Sequence, residues 1–200
     1  MSNITKLIIV AVGGQGNLLA SKILGEAALD AGIQVQMSEI HGMAQRGGVV
    51  ESSILFGDAK SSIIADGEAD ILLGFEPLES LRAVAKCNKN TEIITNMRPL
   101  QPFTSAIGLA KYPESEEIEK LLKAKSKNFL GFDATKLAIE AGTSLSLNMV
   151  LLGALAQRNL IPIGKDLIEK TIKEKTKKQF AETNLKAFHA GFQKALELSK

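Results

Sequence analysis

The sequence predicts an α/β protein whose Rossmann-like, mostly parallel sheet is flanked by helices and followed by a helical C-terminal part. Short apolar runs alternate with segments of helical spacing as far as about residue 140, which is typical of a parallel sheet. The first of these runs ends in a glycine cluster that leads into a helix, and the last part of the chain shows helical spacing alone. We expect the 200 residues to form a single domain, with an α/β body at 1–140 and the helical part at 141–200.

The first 37 residues are typical of a strand–helix–strand unit. Residues 7–12 form a continuous apolar run, as expected of a strand that is buried on both faces of a parallel sheet. A glycine-rich turn at 13–16 ends this run, and apolar residues then recur at helical spacing until Gly32 offers a stop. Residues 33–37 alternate between apolar and polar side chains and predict the second strand. A right-handed crossover is expected for such a unit.

The middle of the chain predicts two strands, a hairpin and a helix. Residues 49–56 form a strand, and the turn after it is expected to return residues 61–65 as the second arm of a hairpin. Residues 71–75 form a second fully apolar strand. Pro77 suits the first turn of a helix, which we expect to run to about Cys87.

The next segment predicts two more strands and the starts of two helices. Residues 91–95 form a strand that ends at an Asn-Met-Arg-Pro sequence, and the prolines that follow make residues 100–113 rich in loops. Ser115 is expected to cap an acidic helix. Residues 128–132 form a last short strand, and Asp133 is expected to cap the helix after it.

Three helices are predicted to complete the chain, at 145–160, 166–175 and 179–198. The last helix carries an apolar stripe, which favours a face packed in the core. A contact with a partner subunit is the alternative for this stripe, which consists of Phe180, Leu185, Phe188, Phe192 and Leu196.

The composition excludes several classes of function. The formal net charge is +2, and the chain has no Trp and one Tyr, so nothing favours a nucleic-acid or membrane partner. Cys87 is the only cysteine, so the chain can form neither an intrachain disulfide nor a cysteine-ligated iron–sulfur cluster of its own. His41 and His189 do not have the spacing of metal ligands. No apolar run resembles a membrane span or signal peptide, so we expect a cytoplasmic protein.

The glycine turn after the first strand leaves two interpretations open. A strand, a glycine turn and a helix bring backbone N–H groups and the positive end of a helix dipole to one point, which favours an anion. Gly14 and Gly16 match the first two glycines of a dinucleotide fingerprint, while Leu19 stands at the third. Glu39 follows at about the position of a ribose-binding acid. The alternative is that the glycines only form the tight turn.

A second glycine-rich segment runs from Glu39 to Glu51. Arg46 has a fork of donors that suits a carboxylate or phosphate, and His41 can titrate near neutral pH. Three glycines in so short a stretch suggest that the backbone approaches a ligand closely. The alternative is an ordinary loop in which Arg46 pairs with Glu39 or Glu51. A similar choice applies to Glu76, where capping of the Pro77 helix is favoured over a role as a site acid.

These segments together resemble one known family, the gamma-type domain of 2-oxoacid:ferredoxin oxidoreductases. The chain is most similar to the small, or beta, subunit of the indolepyruvate group within it. The resemblance rests on V-G-G-Q-G-N-L-L-A-S-K-I-L, S-E-I-H-G-M-A-Q-R-G-G-V-V-E-S and A-D-I-L-L-G-F-E-P-L-E-S-L-R. It continues through F-D-A-T-K-L-A-I-E-A-G, N-M-V-L-L-G-A-L-A and N-L-K-A-F-H-A-G, and so covers nearly the whole chain. H-G-M-A-Q-R-G-G is its most specific part.

The resemblance implies a non-cofactor subunit of an enzyme that oxidatively decarboxylates an aryl pyruvate such as indolepyruvate. Coenzyme A would receive the acyl group and ferredoxin the electrons, while a large (alpha) partner subunit would carry thiamine diphosphate and [4Fe-4S] clusters. The chain would then be inactive alone and open to forming a homodimer. The candidate catalytic residues are His41, Gln45 and Arg46, and the candidate cofactor contacts are Gly13, Gly14, Gln15, Gly16, Gly47 and Gly48.

Two other functions remain open. The partial fingerprint favours a free-standing nucleotide-binding Rossmann module or an NAD-dependent enzyme, although Leu19 and the H-G-M-A-Q-R-G-G segment are unusual for one. The chain could also act as a scaffold that stabilises the large subunit.

Overall fold

The computed structural model describes residues 4–42, 48–101 and 111–199. Within these residues the strands form a six-stranded sheet with the order β2-β3-β1-β4-β5-β6. The strands are β1 (Thr5–Val12), β2 (Val35–His41), β3 (Val49–Phe56), β4 (Ala69–Gly74), β5 (Cys87–Asn96) and β6 (Asn128–Phe132).

The same residues contain seven α-helices, the last four of which follow the final strand of the sheet in the chain. Two short 3₁₀ segments, Ala83–Lys86 and Ser144–Ser146, lead into β5 and into the fifth helix. The helices are α1 (Asn17–Asp30), α2 (Pro77–Arg82), α3 (Ser115–Ala124), α4 (Ala134–Ala141), α5 (Leu147–Arg158), α6 (Lys165–Lys175) and α7 (Lys178–Leu198).

The sheet is mostly parallel, which confirms the predicted class, but one strand runs the other way. β4 pairs in parallel with β1 and β5, and β5 pairs in parallel with β6. β3 is antiparallel to both of its neighbours, β1 and β2. The strands of the predicted strand–helix–strand unit therefore run in the same direction but are separated by β3. Val12 at the end of β1 faces Val49 at the start of β3, so the glycine turn lies beside residue 48.

Both faces of the sheet are covered, which explains the continuous apolar run of β1. Ile8 and Val10 face a cluster that includes residues of α3 and of the 3₁₀ segment that follows α2. Leu7, Ile9 and Ala11 face a larger cluster that includes α1 and the C-terminal helices. The C-terminal helices thus cover one face of the sheet.

Helix α5 lies at the centre of the larger cluster, with all residues from Leu147 to Leu155 buried. It packs closely against α7, where the buried positions include small residues. The predicted apolar stripe is therefore only partly correct: Phe188 is buried, whereas Phe180 and Leu196 are exposed. Small side chains on this face let the two helix backbones approach.

The predicted hairpin arm at 61–65 is wrong, because these residues form no strand. β3 already pairs with β1 on one side and β2 on the other, so β3 has no free edge with which a returning strand could form a hairpin. Instead, the side chain of Ile64 is buried against the smaller cluster. The pattern of apolar and polar residues over five positions does not distinguish a strand from an irregular segment that buries one side chain.

The ends of the helices match the sequence predictions in one case and differ from them in two. Asp133 caps α4 as predicted, since its carboxylate accepts from the N–H of Lys136 at 2.8 Å. Ser115 does not cap α3: it is the first helical residue, and the cap position belongs to Glu114, which makes no side-chain cap. The Pro77 helix ends at Arg82, because a 3₁₀ segment takes over and β5 begins at Cys87.

Cys87 is buried, with 5% of its surface exposed, and burial raises the pKa of its thiol to about 11. We expect an aromatic disulfide reagent at pH 8 to label the folded chain at least about 10-fold more slowly than the chain unfolded in guanidinium chloride, because the thiolate is the reacting form. Labelling at equal rates would contradict the buried position.

None of the helices in the described residues is long and apolar enough to span a membrane.

Candidate functional site

The glycine turn joins β1 to α1 through two residues with left-handed backbone angles. Gly14 has a φ of 104°, and Gly16, at the cap position of α1, has a φ of 82°. A Cβ atom at Gly16 would lie 2.5 Å from Nδ2 of Asn148, which donates a hydrogen bond to the carbonyl of Gly16 at 3.2 Å. Glycine is therefore required at position 16 both by the backbone angle and by the space available.

Gln15 holds the turn in place through its side-chain amide. Its Oε1 accepts from the N–H of Val12 at 2.8 Å, and its Nε2 donates to the carbonyl of Phe75 at 3.1 Å. Both ends of the amide thus bind the protein itself. The structure gives Gln15 a positioning role, and its predicted contact with a cofactor stays a prediction.

Asn17 ties the start of α1 to the sheet, a role that the sequence did not suggest. Its side chain is buried and donates to the carbonyls of Ile9 at 3.3 Å and Val50 at 3.2 Å. Its Oδ1 accepts from the hydroxyl of Ser52 at 2.6 Å. The run of three polar residues, Glu51 to Ser53, inside an otherwise apolar strand was the available signal. The turn is therefore connected rigidly to both β1 and β3.

A cleft of about 650 Å³ opens beside the glycine turn. His41, at the end of β2, is exposed and lines the same cleft as the turn. Glu39 also lines it and accepts a hydrogen bond from Ser21 at 3.3 Å. The cleft is lined by Val12, Gly13, Gly14, Gly16, Asn17, Leu18, Glu39, His41, Gly42 and Val50.

The start of α1 offers hydrogen-bond donors to an anion in this cleft. The cap residue, Gly16, has no side chain to cap the helix, and no acidic residue lies in its first turn. The N–H groups of the first turn are therefore not used by a cap residue, while the exposed carboxylate of Glu39, which lines the same cleft, partly offsets the positive end of the helix dipole.

Both ends of the glycine-rich loop meet at this cleft. Gly13 donates from its N–H to the carbonyl of Gly48 at 2.8 Å, and Gly42 donates to the carbonyl of Val49 at 3.1 Å. The predicted site residues Gln45, Arg46 and Gly47 lie outside the described residues. The structure thus brings His41 and Gly48 next to the glycine turn, which the sequence spacing alone did not require.

Glu76 is a helix cap, as the simpler interpretation predicted. It is 1% exposed, and its Oε2 accepts from the N–H of Glu79 at 2.9 Å. Its Oε1 accepts from the N–H of Leu100 at 3.2 Å and from the hydroxyl of Tyr112. Burial is the main cause that raises the pKa of Tyr112 above its usual value, and the hydrogen bond to the Glu76 carboxylate is the second. These contacts hold Glu76 in the interior, away from the cleft.

No cluster of three or more His, Cys, Asp or Glu side chains suitable for a metal ion occurs in the part of the chain that the structure describes.

The position of β3 argues against an ordinary dinucleotide site. In a dinucleotide-binding unit the strand that carries the ribose-binding acid lies next to the first strand. Here β3 lies between β1 and β2, so Glu39 is two strand spacings, or roughly 10 Å, from β1. The partial fingerprint in the sequence is therefore not matched by the arrangement of the strands.

Comparison with known proteins identifies the family. Residues 6–194 match the pyruvate ferredoxin/flavodoxin oxidoreductase family. The chain is 41% identical over 194 residues to the indolepyruvate oxidoreductase subunit IorB of Pyrococcus horikoshii, covering 96% of each chain. It is 42% identical over 191 residues to IorB of Methanothermobacter thermautotrophicus, covering 96% of this chain and 97% of the relative.

Solved structures agree on the fold. The gamma subunit of a keto/oxoacid ferredoxin oxidoreductase from Geobacter sulfurreducens has a TM-score of 0.70 at 24% identity, over 96% of this chain and 99% of that one. A 2-oxoglutarate:ferredoxin oxidoreductase chain from Magnetococcus marinus has a TM-score of 0.74 at 18% identity, over 98% of this chain and 32% of that one. The resemblance found in the motifs is confirmed, and the chain belongs to the pyruvate ferredoxin/flavodoxin oxidoreductase family.

Proposed function

We propose that this chain is the small, non-cofactor subunit of an indolepyruvate:ferredoxin oxidoreductase. The observation that carries the proposal is the identity of 41% and 42% to IorB subunits over nearly the full length of both chains. Relatives named as 2-oxoglutarate synthase subunits are more distant, with 27% identity for one from Methanothermobacter thermautotrophicus. An aryl pyruvate is therefore favoured over a dicarboxylic oxoacid as the substrate.

The proposed reaction converts a 2-oxoacid and coenzyme A into an acyl-CoA and CO₂. The oxidation releases two electrons and one proton. Two oxidised ferredoxins each accept one of the electrons. A large alpha subunit would carry thiamine diphosphate and [4Fe-4S] clusters. With one cysteine in its sequence, this chain lacks the four thiolates that a [4Fe-4S] cluster takes. The division of cofactors in the proposal is therefore chemically consistent.

The contribution of this chain would be a rim around the active site of its partner. The glycine turn and the first-turn N–H groups of α1 would offer donors to an anionic group of coenzyme A or of the oxoacid. His41 lines the same cleft, and the loop that carries Gln45 and Arg46 starts and ends there. The candidate cofactor contacts Gly13, Gly14, Gly16 and Gly48 lie at this rim.

The complex tests the function directly. We expect co-expression of this chain with a large thiamine diphosphate-binding subunit to yield a stable complex that reduces ferredoxin only when both indolepyruvate and coenzyme A are present. Each subunit alone should be inactive. Titration of the isolated chain with NAD tests the alternative of a free-standing nucleotide-binding module. Saturable NAD binding together with failure to form the complex would overturn the proposal.

The two histidines of the chain allow a matched test of the rim. His41→Ala is expected to raise the apparent KM of the complex for coenzyme A or indolepyruvate by about 10-fold, because a donor at the cleft is lost. Arg46→Ala should act in the same direction. His189→Ala is the control, since His189 lies on α7 and pairs with Glu169. Unchanged KM values in an intact His41→Ala complex would exclude a ligand role for the rim.

The proposal also includes a cytoplasmic location, because reduced ferredoxin would have to reach other enzymes of the cell.

In the absence of the large subunit, a homodimer of this chain is proposed, and light scattering of the isolated chain measures its molar mass. A structural scaffold without ligand contacts is the remaining alternative. It predicts that variants of the rim leave all KM values unchanged.

A further inference from the structure

A second cleft, of about 350 Å³, lies on the other side of the glycine turn. Gly13, Gly14 and Gln15 form one wall. The opposite wall comes from the segment after β5 and from the first turn of α4, and it includes Arg98 and Thr135. This cleft is outside the carboxyl ends of the parallel strands β1, β4, β5 and β6, which is where open α/β sheets bind ligands.

The two walls are held at a fixed separation by one shared acceptor. The carbonyl of Phe75 accepts from Nε2 of Gln15 at 3.1 Å and from Nδ2 of Asn96 at 3.0 Å. Asn96 is 1% exposed, and its amide also contacts the backbone of Arg98 and the first turn of α4. The turn and the Arg98 segment are thus connected through one partly buried and one buried hydrogen bond.

The donors on the second wall are available to a ligand. The side chain of Arg98 is 56% exposed, and its one polar contact among the described residues is with Asp133, through Nη1 at 3.4 Å. Asp133 is itself engaged as the cap of α4. The hydroxyl of Thr135 accepts from Asn96 at 3.1 Å, and its own proton has no acceptor within residues 4–42, 48–101 and 111–199.

The first wall is open to close approach. A Cβ atom at Gly14 would meet nothing within 4 Å, and the residue is exposed. Two carboxylates contact residues that line this cleft: Asp133 pairs with Arg98, and the buried Glu76, which accepts from Leu100, already receives three hydrogen bonds. Of these two carboxylates, only Asp133 competes directly with a ligand for the Arg98 guanidinium, and it does so through a single contact of 3.4 Å.

The geometry points to a second ligand site in this chain, an oxyanion site in which Arg98 and Thr135 bind a phosphate or carboxylate group against the backbone of the glycine turn. Arg98 exchanges its single contact with Asp133 for the forked contact that a guanidinium makes with an oxyanion. This site shares Gly13 and Gly14 with the His41 cleft but takes its side-chain donors from Arg98 and Thr135, and it does not depend on the proposed reaction.

The test uses the full-length isolated chain labelled with ¹⁵N. The signals of the Gly14 amide and of the Arg98 Nε–H are followed during titration with sodium pyrophosphate and, separately, with sodium pyruvate, at constant ionic strength. Saturation with pyrophosphate identifies a phosphate site, and saturation with pyruvate alone identifies a carboxylate site. Both results support the oxyanion site.

Three variants distinguish the site from general attraction of anions. Arg98→Gln is expected to weaken binding by about 10-fold or more, and Thr135→Val by a few-fold. Lys60→Gln removes the same charge and is expected to change nothing. Lys60 is 82% exposed in its side chain and lies beyond Phe56, which faces Thr5 at the amino end of β1, far from the turn. The circular dichroism of each variant verifies its fold.

The inference is overturned if neither anion produces saturable shifts at Gly14 and Arg98. It is also overturned if Arg98→Gln and Lys60→Gln weaken binding equally, or if a folded Arg98→Gln variant binds as tightly as the parent chain. These measurements do not involve the complex, so they fail or succeed independently of ferredoxin reduction.

Discussion

Replacement of Gly153 by alanine is expected to lower the free energy of unfolding by about 3 kcal/mol or more. A Cβ atom at this position would lie 1.9 Å from the carbonyl oxygen of Phe188 on α7. Backbone cannot give way as the end of a flexible side chain can, so α5 and α7 must separate. Gly191→Ala should have a similar effect, since its Cβ atom would lie 1.8 Å from the carbonyl oxygen of Val150.

Urea unfolding followed by circular dichroism at 222 nm measures this loss. Gly164→Ala is the matched control, because the cap position of α6 has a φ of −70° and open space around it. The control should change the free energy of unfolding by about 1 kcal/mol or less. A Gly153→Ala variant as stable as the control would mean that the two helices do not approach as closely as the structure shows.

Replacement of Asn96 by alanine is expected to cost about 3 kcal/mol, because its buried amide serves several partners at once. Its Oδ1 accepts from the N–H groups of Arg98, Ala134 and Thr135, at 3.3, 3.0 and 3.4 Å. Its Nδ2 donates to the carbonyls of Phe75 and Arg98 and to the hydroxyl of Thr135. Truncation leaves buried backbone groups without partners, while Phe75 keeps its contact with Gln15.

The same denaturation measurement applies, with Asn90→Ala as the control. Asn90 is exposed in the part of β5 where the register with β4 shifts. Its backbone N–H, and not its side chain, donates to Oδ1 of Asn88. Its truncation should cost about 0.5 kcal/mol or less. In the Asn96→Ala variant we also expect amide exchange to accelerate at Arg98 and Thr135. Unchanged stability and exchange would show that Asn96 does not organise this end of the sheet.

Strands with strong apolar runs and clear breaks were predictable from the sequence. The strands at 49–56 and 128–132 have the predicted bounds, and the strand of residues 7–12 begins two residues earlier than expected. Asp133 was correctly predicted as a cap, because a cap depends on a side chain and a backbone group only three residues apart. The motif resemblance also led to the correct family. The division of the chain into 1–140 and 141–200 stays a prediction.

Pairings between distant segments were not predictable in the same way. The insertion of β3 between β1 and β2 depends on which strands find edges, and the sequence contains no local signal for it. This insertion removed the predicted hairpin arm at 61–65 and separated Glu39 from β1. It also placed Gly48 beside Gly13, so that the two glycine-rich segments share one cleft.

The sequence by itself determined the fold class, most of the strands and helices, and the family. These properties follow from local periodicity, from the chemistry of single turns, and from motifs that survive in linear order. Only the tertiary structure decided which side chains lie together. Gln15 and Asn96 are 81 positions apart, yet both donate to the carbonyl of Phe75. Such contacts depend on strand order and on the direction of β3, which no short stretch of sequence specifies.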